Sequence, residues 1–467
     1  MNYSIKLFIN YILLLFTSSI FAQHQIGHYN ITFQDPDRSN RDIETEVYYP
    51  ATSAGNNTTV ATGQFPVIVF GHGFVMAWDA YENLWEEFVP NGYIMVFPRT
   101  EGNLLSTDHQ QFGWDLQFLV SKIQDEGNNI SSPIYNAVAN NTALMGHSMG
   151  GGASFLAADS LCVNGNNQLK TIIGLAPAES SSNGVSSIAS ATNITVPSVI
   201  LSGSQDGVTP PIDHHIPMYD SLSSNCKTFI SINGGAHCYF ANSNFNCDFG
   251  ESTSSTGISI TRSEQHSVTF NFLNLWLDYA LKNDCDDFVA FQDSLNNSNR
   301  ISFNQSCIQN PTASISENGG VLTCSITGIG YQWYLNNIII PGANSINYIP
   351  TVSGNYTVEV NFSSGCPTLS SLYNFILSSI FNNINYNNKI HIYPNPALDE
   401  IIVIKTSKHS NGKIILTNIL GEEVLSKSFT SNEFQLNLKG LKSKGTYFVK
   451  VLNSNGNIIA IEKLIYK

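Results

Sequence analysis

The sequence predicts an α/β fold carried by a mostly parallel sheet with helices on both faces, followed by two small all-β sandwich domains. Three observations lead there. Strand-like runs at Phe65–Phe70, Thr142–Met145, Val196–Gly203 and Lys227–Ile232 each end in a Gly-rich or polar loop, as strands buried on both faces of a parallel sheet do. Beyond Ile308 the pattern becomes short runs separated by Gly and Asn turns, the mark of antiparallel sandwiches. The charge also breaks: residues 23–307 hold nine basic and twenty-seven acidic side chains, whereas Lys389 to Lys467 holds eleven Lys against six acids.

At 467 residues the chain suggests roughly three domains of about 150 residues each. Hydrophobic residues at 42% supply packed cores, and charged residues at only 12% exclude a disordered chain. A net charge of −14 lacks the basic footprint that a phosphate backbone demands, so nucleic acid is not expected as a partner. The acidic 23–307 segment favours neutral or cationic ligands over polyanions.

Residues 1–22 read as a secretory signal: Lys6, an apolar run from Leu7 to Phe16, then Thr17, Ser18, Ser19 and Ala22 before Gln23. The apolar run is short of the roughly 20 residues a membrane span needs. Export implies an oxidising compartment, so the eight Cys are disulfide candidates.

Within residues 23–307 the chemistry gathers on Gly146-His147-Ser148-Met149-Gly150. This Gly-x-Ser-x-Gly elbow lets a strand turn sharply into a helix and lifts a serine hydroxyl out of the backbone. The flanks suit it, with a strand over Thr142–Met145 and a small-residue helix over Gly151–Asp159. Such a serine needs a base oriented by an acid. Asp206 falls on the loop after the Val196–Gly203 strand, and His237 on the loop after Lys227–Ile232. The order Ser148, Asp206, His237 is that of an α/β-hydrolase. Asp213 and Asp220 fall on an expected helix, Pro210 to Leu222, as solvated faces, and His214 and His215 are expected on its surface. His266 opens an amphipathic helix running to Leu281, and His147 only flanks the nucleophile. A tetrahedral intermediate needs two backbone N–H donors. Met149 supplies one, and Phe74, after the Gly71-His72-Gly73 turn, supplies the other.

From Val67 to about Phe291 the chain resembles the cutinase-like polyester hydrolases, including poly(ethylene terephthalate) hydrolases. The matching stretches are Gly71-His72-Gly73-Phe74, Gly146-His147-Ser148-Met149-Gly150-Gly151, Leu175-Ala176-Pro177, Asp206 with Pro210, and Ile232-Asn233-Gly234-Gly235-Ala236-His237. The resemblance implies a nucleophile, acid and base at Ser148, Asp206 and His237, with oxyanion donors at Phe74 and Met149. It also marks departures. Ala178 stands where the family has an aromatic wall and Phe74 replaces a Tyr, whereas Val208 sits where the family has an apolar cleft residue and is expected to line the cleft. Trp78, Trp85 and Trp114 are the candidates for a replacement aromatic surface. Cys285 and Cys307 resemble the family's C-terminal staple, Cys238 and Cys247 would close a short loop after the base, and Cys162 and Cys226 remain as a pair. Spacing leaves the connectivity of these six open. Asn283–Asp287 and the pair Asp35 and Asp37 could offer oxygens to Ca²⁺, but acidic loops are usually solvated and neither is read as a metal site. No cofactor is implied.

Residues 308–380 carry a Trp333 strand between Cys324 and Cys366 and a Tyr356 strand, the order of an immunoglobulin-like sandwich. They resemble the Ig-like modules of secreted bacterial hydrolases, with a Cys324–Cys366 bridge expected. Residues 381–389 are Asn-rich and read as a linker. Residues 390–467 open with Tyr393-Pro394-Asn395-Pro396 and close with Gly445-Thr446-Tyr447-Phe448-Val449-Lys450-Val451. They resemble the C-terminal sorting domain of type IX secretion cargo, implying the outer-membrane secretion machinery as a partner. The expected function is secreted, monomeric serine ester hydrolysis on polyesters such as poly(ethylene terephthalate) or cutin. A general lipase or carboxylesterase is the alternative, and a non-catalytic surface-binding protein is a more distant one.

Overall fold

The computed structural model describes residues 23–179, 184–308, 310–362, 365–377, 390–406 and 411–467. The expected signal (1–22), the linker (381–389) and residues 378–380 lie outside the described residues. The described residues fall into two compact units, one drawn from the ranges Met1–Asn318, Leu322–Tyr348 and Tyr356–Tyr373, the other from Gly319–Val321, Ile349–Asn355 and Asn374–Lys467.

The first unit is built on a ten-stranded sheet: β1 (Gln25–Asp35), β2 (Arg41–Ala51), β3 (Gly55–Asn56), β4 (Phe65–Gly71), β5 (Ile94–Pro98), β6 (Val138–His147), β7 (Leu169–Leu175), β8 (Ser198–Gly203), β9 (Cys226–Ile232) and β10 (Ile301–Cys307). The order is β10-β9-β8-β7-β6-β4-β5-β2-β1-β3. From β5 through β4, β6, β7 and β8 to β9 the neighbours run parallel. β2 and β10 flank that centre antiparallel.

The helices are α1 (Glu82–Phe88), α2 (His109–Asn128), α3 (Met149–Val163), α4 (Ser187–Ala191), α5 (His215–Ser221), α6 (Phe245–Ser254), α7 (Arg262–Lys282) and α8 (Cys285–Asn297). Strand alternation divides the core in two. Val67, Val69 and Leu144 pack with Leu116 of α2 and Phe155 of α3. Ile68, Phe70 and Met145 pack with Phe88 of α1 and Trp276 of α7. Each fully buried side chain of this size contributes about 1.5–3 kcal/mol, and burial on both faces explains why the central runs carry no polar alternation. This is the α/β-hydrolase fold.

Two helix starts differ from expectation. α7 begins at Arg262 rather than His266, because Thr261 and Glu264 form a reciprocal capping box. The Pro210–Leu222 stretch becomes helical only at His215, since Pro210 and Pro211 lack the N–H groups a helix interior uses. Both acidic loops are used structurally. Asp284 caps α8 through Asp286 N and Asp287 N, and Asp35 accepts from Asp37 N and Arg38 Nε.

The cysteine expectations need three corrections. The β9–β10 register sets Cys226 opposite Cys307, and these two are bonded. The Cys285–Cys307 staple and the Cys162–Cys226 pair are therefore not formed, and Cys162 is free on α3. Cys366 is bonded instead to Cys285, the first residue of α8. The Cys324–Cys366 bridge is likewise not formed: Cys324 is a free thiol, 3% exposed, filling space as a small apolar group. Cys238 is bonded to Cys247.

After β10 come small antiparallel sheets. Gly330–Leu335, with Trp333 fully buried, pairs with Gly354–Asn361. In the second unit a three-stranded and a four-stranded sheet enclose Ile402, Ile404, Leu416, Val449, Val451 and Leu464.

Candidate active site

The sheet brings three loops to the carboxyl ends of β6, β8 and β9, the edge where open α/β sheets place their ligands. Ser148 follows β6 at φ 55° and ψ −121°, a region that non-glycine residues occupy only under constraint. Neighbouring backbones supply that constraint. Ser148 N donates to Leu175 O at 3.0 Å, and Ala178 N donates to Ser148 O at 2.8 Å. Two glycines let the β4 loop press against the elbow: a Cβ on Gly71 would come 2.8 Å from Gly150 O, and one on Gly150 would overlap Gly71 O. Met149 opens α3, so its N–H has no acceptor within the helix.

Asp206 and His237 meet between the loops that follow β8 and β9. Asp206 is 5% exposed and His237 1%, and His237 Nδ1 lies 2.7 Å from Asp206 Oδ2. Asp206 Oδ1 accepts from Val208 N at 2.9 Å and Thr209 N at 2.8 Å, and Oδ2 accepts from Thr209 Oγ1 at 3.0 Å. Burial alone raises the Asp206 pKa. The interaction with His237 and these hydrogen bonds outweigh burial and hold the carboxyl below its ordinary range.

His147 joins the elbow to its neighbours. Its ring packs 4.8 Å from that of His237, and its Nε2 donates to His237 O at 3.0 Å. Its Nδ1 therefore accepts from Tyr81 Oη at 2.8 Å, while Tyr81 Oη accepts from Gly73 N at 2.8 Å. This chain ties the turn before Phe74 to the loop bearing His237. Burial pushes His147 well below the ordinary histidine range, so it stays neutral and keeps these directions.

Phe74 is 46% exposed beyond that turn, and the next residue, Val75, sits at φ 55°. Ala178 and Val208 are half-buried beside the elbow and the acid loop. The tryptophans separate. Trp85 is a core residue stacked on Tyr48 at 4.2 Å. Trp78 is half-buried with Arg99 over its ring, in a groove shared with Val75 and Met76. Trp114 is exposed on α2, beside Leu156 of α3. His72 is buried, its ring against Phe112.

His215 is not the surface residue expected, and His214 is only partly exposed. His214 is half-buried and accepts from Glu179 N at 2.9 Å. His215 is fully buried, hydrogen-bonded to Ser202 and Thr209. Motif reading misses Tyr81, Thr209 and His215 because each acts through a contact distant in sequence or hidden by a helical pattern. Among the described residues no group of three or more His, Cys, Asp or Glu is arranged to hold a metal ion.

The fold is that of an α/β-hydrolase, with a serine on the strained turn between β6 and α3. The family model described as PET hydrolase-like matches residues 22–259, about half of the chain, and the chain belongs to that family. The model for the secretion system C-terminal sorting domain matches residues 391–467, and the protein is secreted or held at the cell surface. Cutinase est1 of Thermobifida alba is 27% identical over 195 residues, 41% of this chain and 56% of the relative. Cutinase 1 of Thermobifida cellulosilytica is 28% identical over the same length, 64% of its own. Cutinase cut1 of Thermobifida fusca is 27% identical over 52% of its own. The chain thus spans between half and two thirds of the curated relatives it matches.

Proposed function

We propose that this protein is a secreted serine ester hydrolase that cleaves polyesters such as poly(ethylene terephthalate) or cutin through an acyl-enzyme intermediate. The observation that carries the reading is the 2.7 Å contact of His237 Nδ1 with a buried Asp206, on the sheet edge where Ser148 stands on its strained elbow. With Nδ1–H donating to Asp206, His237 Nε2 is left unprotonated and takes the Ser148 proton. Ser148 Oγ attacks the ester carbonyl, the N–H groups of Phe74 and Met149 hold the oxyanion, and His237 returns the proton to the leaving alcohol. Water, deprotonated by the same imidazole, then releases the acid. Asp206 orients the ring and stabilises its cation. Ala178 and Val208 line the acyl side, and no metal or organic cofactor takes part.

On this reading residues 308–380 are an immunoglobulin-like spacer after the 23–307 hydrolase domain, and residues 390–467 engage the secretion machinery. The protein works as a monomer and has no nucleic-acid partner. One observation favours the general carboxylesterase reading: Ala178 offers no ring to stack on an aromatic acyl group.

The test compares product release from amorphous poly(ethylene terephthalate) film with p-nitrophenyl butyrate turnover, using the full chain and Ser148→Ala. Replacing Ser148 is expected to lower turnover by about 10⁴-fold or more with the fold intact. Aromatic products absent from the control support polyester hydrolysis. Butyrate turnover without them assigns a general secreted esterase, and a variant that still turns over butyrate refutes the Ser148 assignment.

A further inference from the structure

The acid of the site has a second histidine behind it. His215 lies at the start of α5 with no exposed surface. Its Nδ1 is 2.8 Å from Ser202 Oγ, and its Nε2 is 3.0 Å from Thr209 Oγ1. Thr209 Oγ1 is in turn 3.0 Å from Asp206 Oδ2 and 2.8 Å from His237 Nδ1. His215 Nε2 itself stops 3.8 Å short of Asp206 Oδ2, beyond hydrogen-bond reach. Four groups therefore stand in series: Ser202, His215, Thr209 and Asp206.

Along these four groups only one direction of donation places a proton in each of the three gaps, while Thr209 Oγ1 lies 2.8 Å from His237 Nδ1, beside the proton that His237 gives to Asp206. Ser202 Oγ–H donates to His215 Nδ1, His215 Nε2–H donates to Thr209 Oγ1, and Thr209 Oγ1–H donates to the Asp206 carboxylate. The reverse direction leaves Thr209 Oγ1 and the Asp206 anion 3.0 Å apart with no proton between them, which a buried site penalises. The ionisable groups facing His215 are Asp206, His237 and His214. Burial drives His215 down to about 3, so the ring is neutral across the working range and keeps a single tautomer.

We propose that His215, through Thr209, is a positioning residue for Asp206. The relay fixes the Thr209 hydroxyl as a permanent donor to Oδ2, so that the carboxylate stays aimed at His237 with its charge shared between two side-chain donors. This inference rests on the reading of Ser148, Asp206 and His237 as the reacting site. It adds a device that the Gly-x-Ser-x-Gly, acid and base motifs do not include.

The experiment compares full-length wild type, His215→Leu, His215→Gln, Thr209→Val and the double variant His215→Leu/Thr209→Val. Each is followed by p-nitrophenyl butyrate kcat and KM from pH 5 to 9 and by thermal midpoint. His215→Leu is expected to lower kcat about tenfold, with KM within about twofold. Its acid limb should move to higher pH, because the less shared carboxylate holds a proton on the site's imidazole more tightly. Gln can accept from Ser202 and donate to Thr209, so His215→Gln should recover most of kcat and return the limb. Thr209→Val should match His215→Leu, and the double variant should be no worse than either, since a relay is broken once. A lowered midpoint with kcat and the acid limb unmoved would make His215 mere packing and overturn the proposal, as would additive losses in the double variant. Turnover that survives Ser148→Ala would instead sink the underlying reading of the site.

Discussion

Ser148 keeps a backbone conformation that costs about 1–3 kcal/mol where nothing enforces it, and the groups that enforce it reach beyond the elbow motif. Tyr81 is the least conspicuous of them. Its hydroxyl accepts from Gly73 N and donates to His147, both buried. Tyr81→Phe removes one oxygen and strands two polar groups, each a loss of about 1–3 kcal/mol. We expect a thermal midpoint several degrees lower and a fall in kcat that exceeds any change in KM, because the turn carrying Phe74 N–H loosens. Denaturation curves and steady-state kinetics on a soluble ester check this, and an unchanged kcat would mean that the turn holds without Tyr81. At this scale the motif residues Ser148, Asp206 and His237 are legible from sequence, since a nucleophile elbow and loops at strand ends have local signatures. Tyr81 and His215 are not, because what makes them matter is a partner more than ten residues away or a buried face that helical periodicity assigns to solvent.

Among the elements, α6 is the one that strand and helix patterns fail to anticipate as part of the site. The Cys238–Cys247 bond spans nine residues beginning directly after His237. Asn246 Nδ2 donates to Val75 O at 3.0 Å, the buried Glu251 accepts from Cys238 N at 2.6 Å, and Asp248 pairs with Arg262 of α7. The excursion thus braces the His237 loop against the turn next to Phe74. Replacing both cysteines, Cys238→Ser with Cys247→Ser, should cost about 2–3 kcal/mol on a chain-entropy account, read as a lower denaturant midpoint. A loss of activity larger than the loss of folded fraction would show the loop losing its aim. Equal losses would limit the bond to stability. Disulfide partners generally are beyond what spacing can choose. Cys226 meets Cys307 because β10 joins β9 antiparallel in one register, and a one-residue slip would separate them.

For the whole molecule, buried neutral histidines make stability depend on pH. Burial lowers His72, His147 and His215 below their ordinary 6.5. Below about pH 6.5 the unfolded chain therefore binds protons that the folded one refuses, and stability falls by up to about 1.4 kcal/mol per pH unit for each group. Asp206, held below its ordinary value, contributes stability that is present above about pH 4 and lost as pH drops through its lowered folded pKa. Urea unfolding should give a plateau above pH 7 and a steep decline from 6.5 towards 5, and stability that stays level over that range would contradict the burial of these rings. The fold class itself was readable, because apolar runs ending in loops and alternating runs with Gly and Asn turns are one-dimensional patterns that the backbone must obey. The sequence by itself determined the parallel sheet, the sharp Gly-x-Ser-x-Gly turn and the secretion tail, since each depends on a pattern of residues close together in the chain. Only the tertiary structure decided which cysteines bond, that His215 stands behind Asp206, and that Tyr81 and α6 brace the two sides of the site. Those are distances between segments brought together by packing, and no local pattern of residues encodes them.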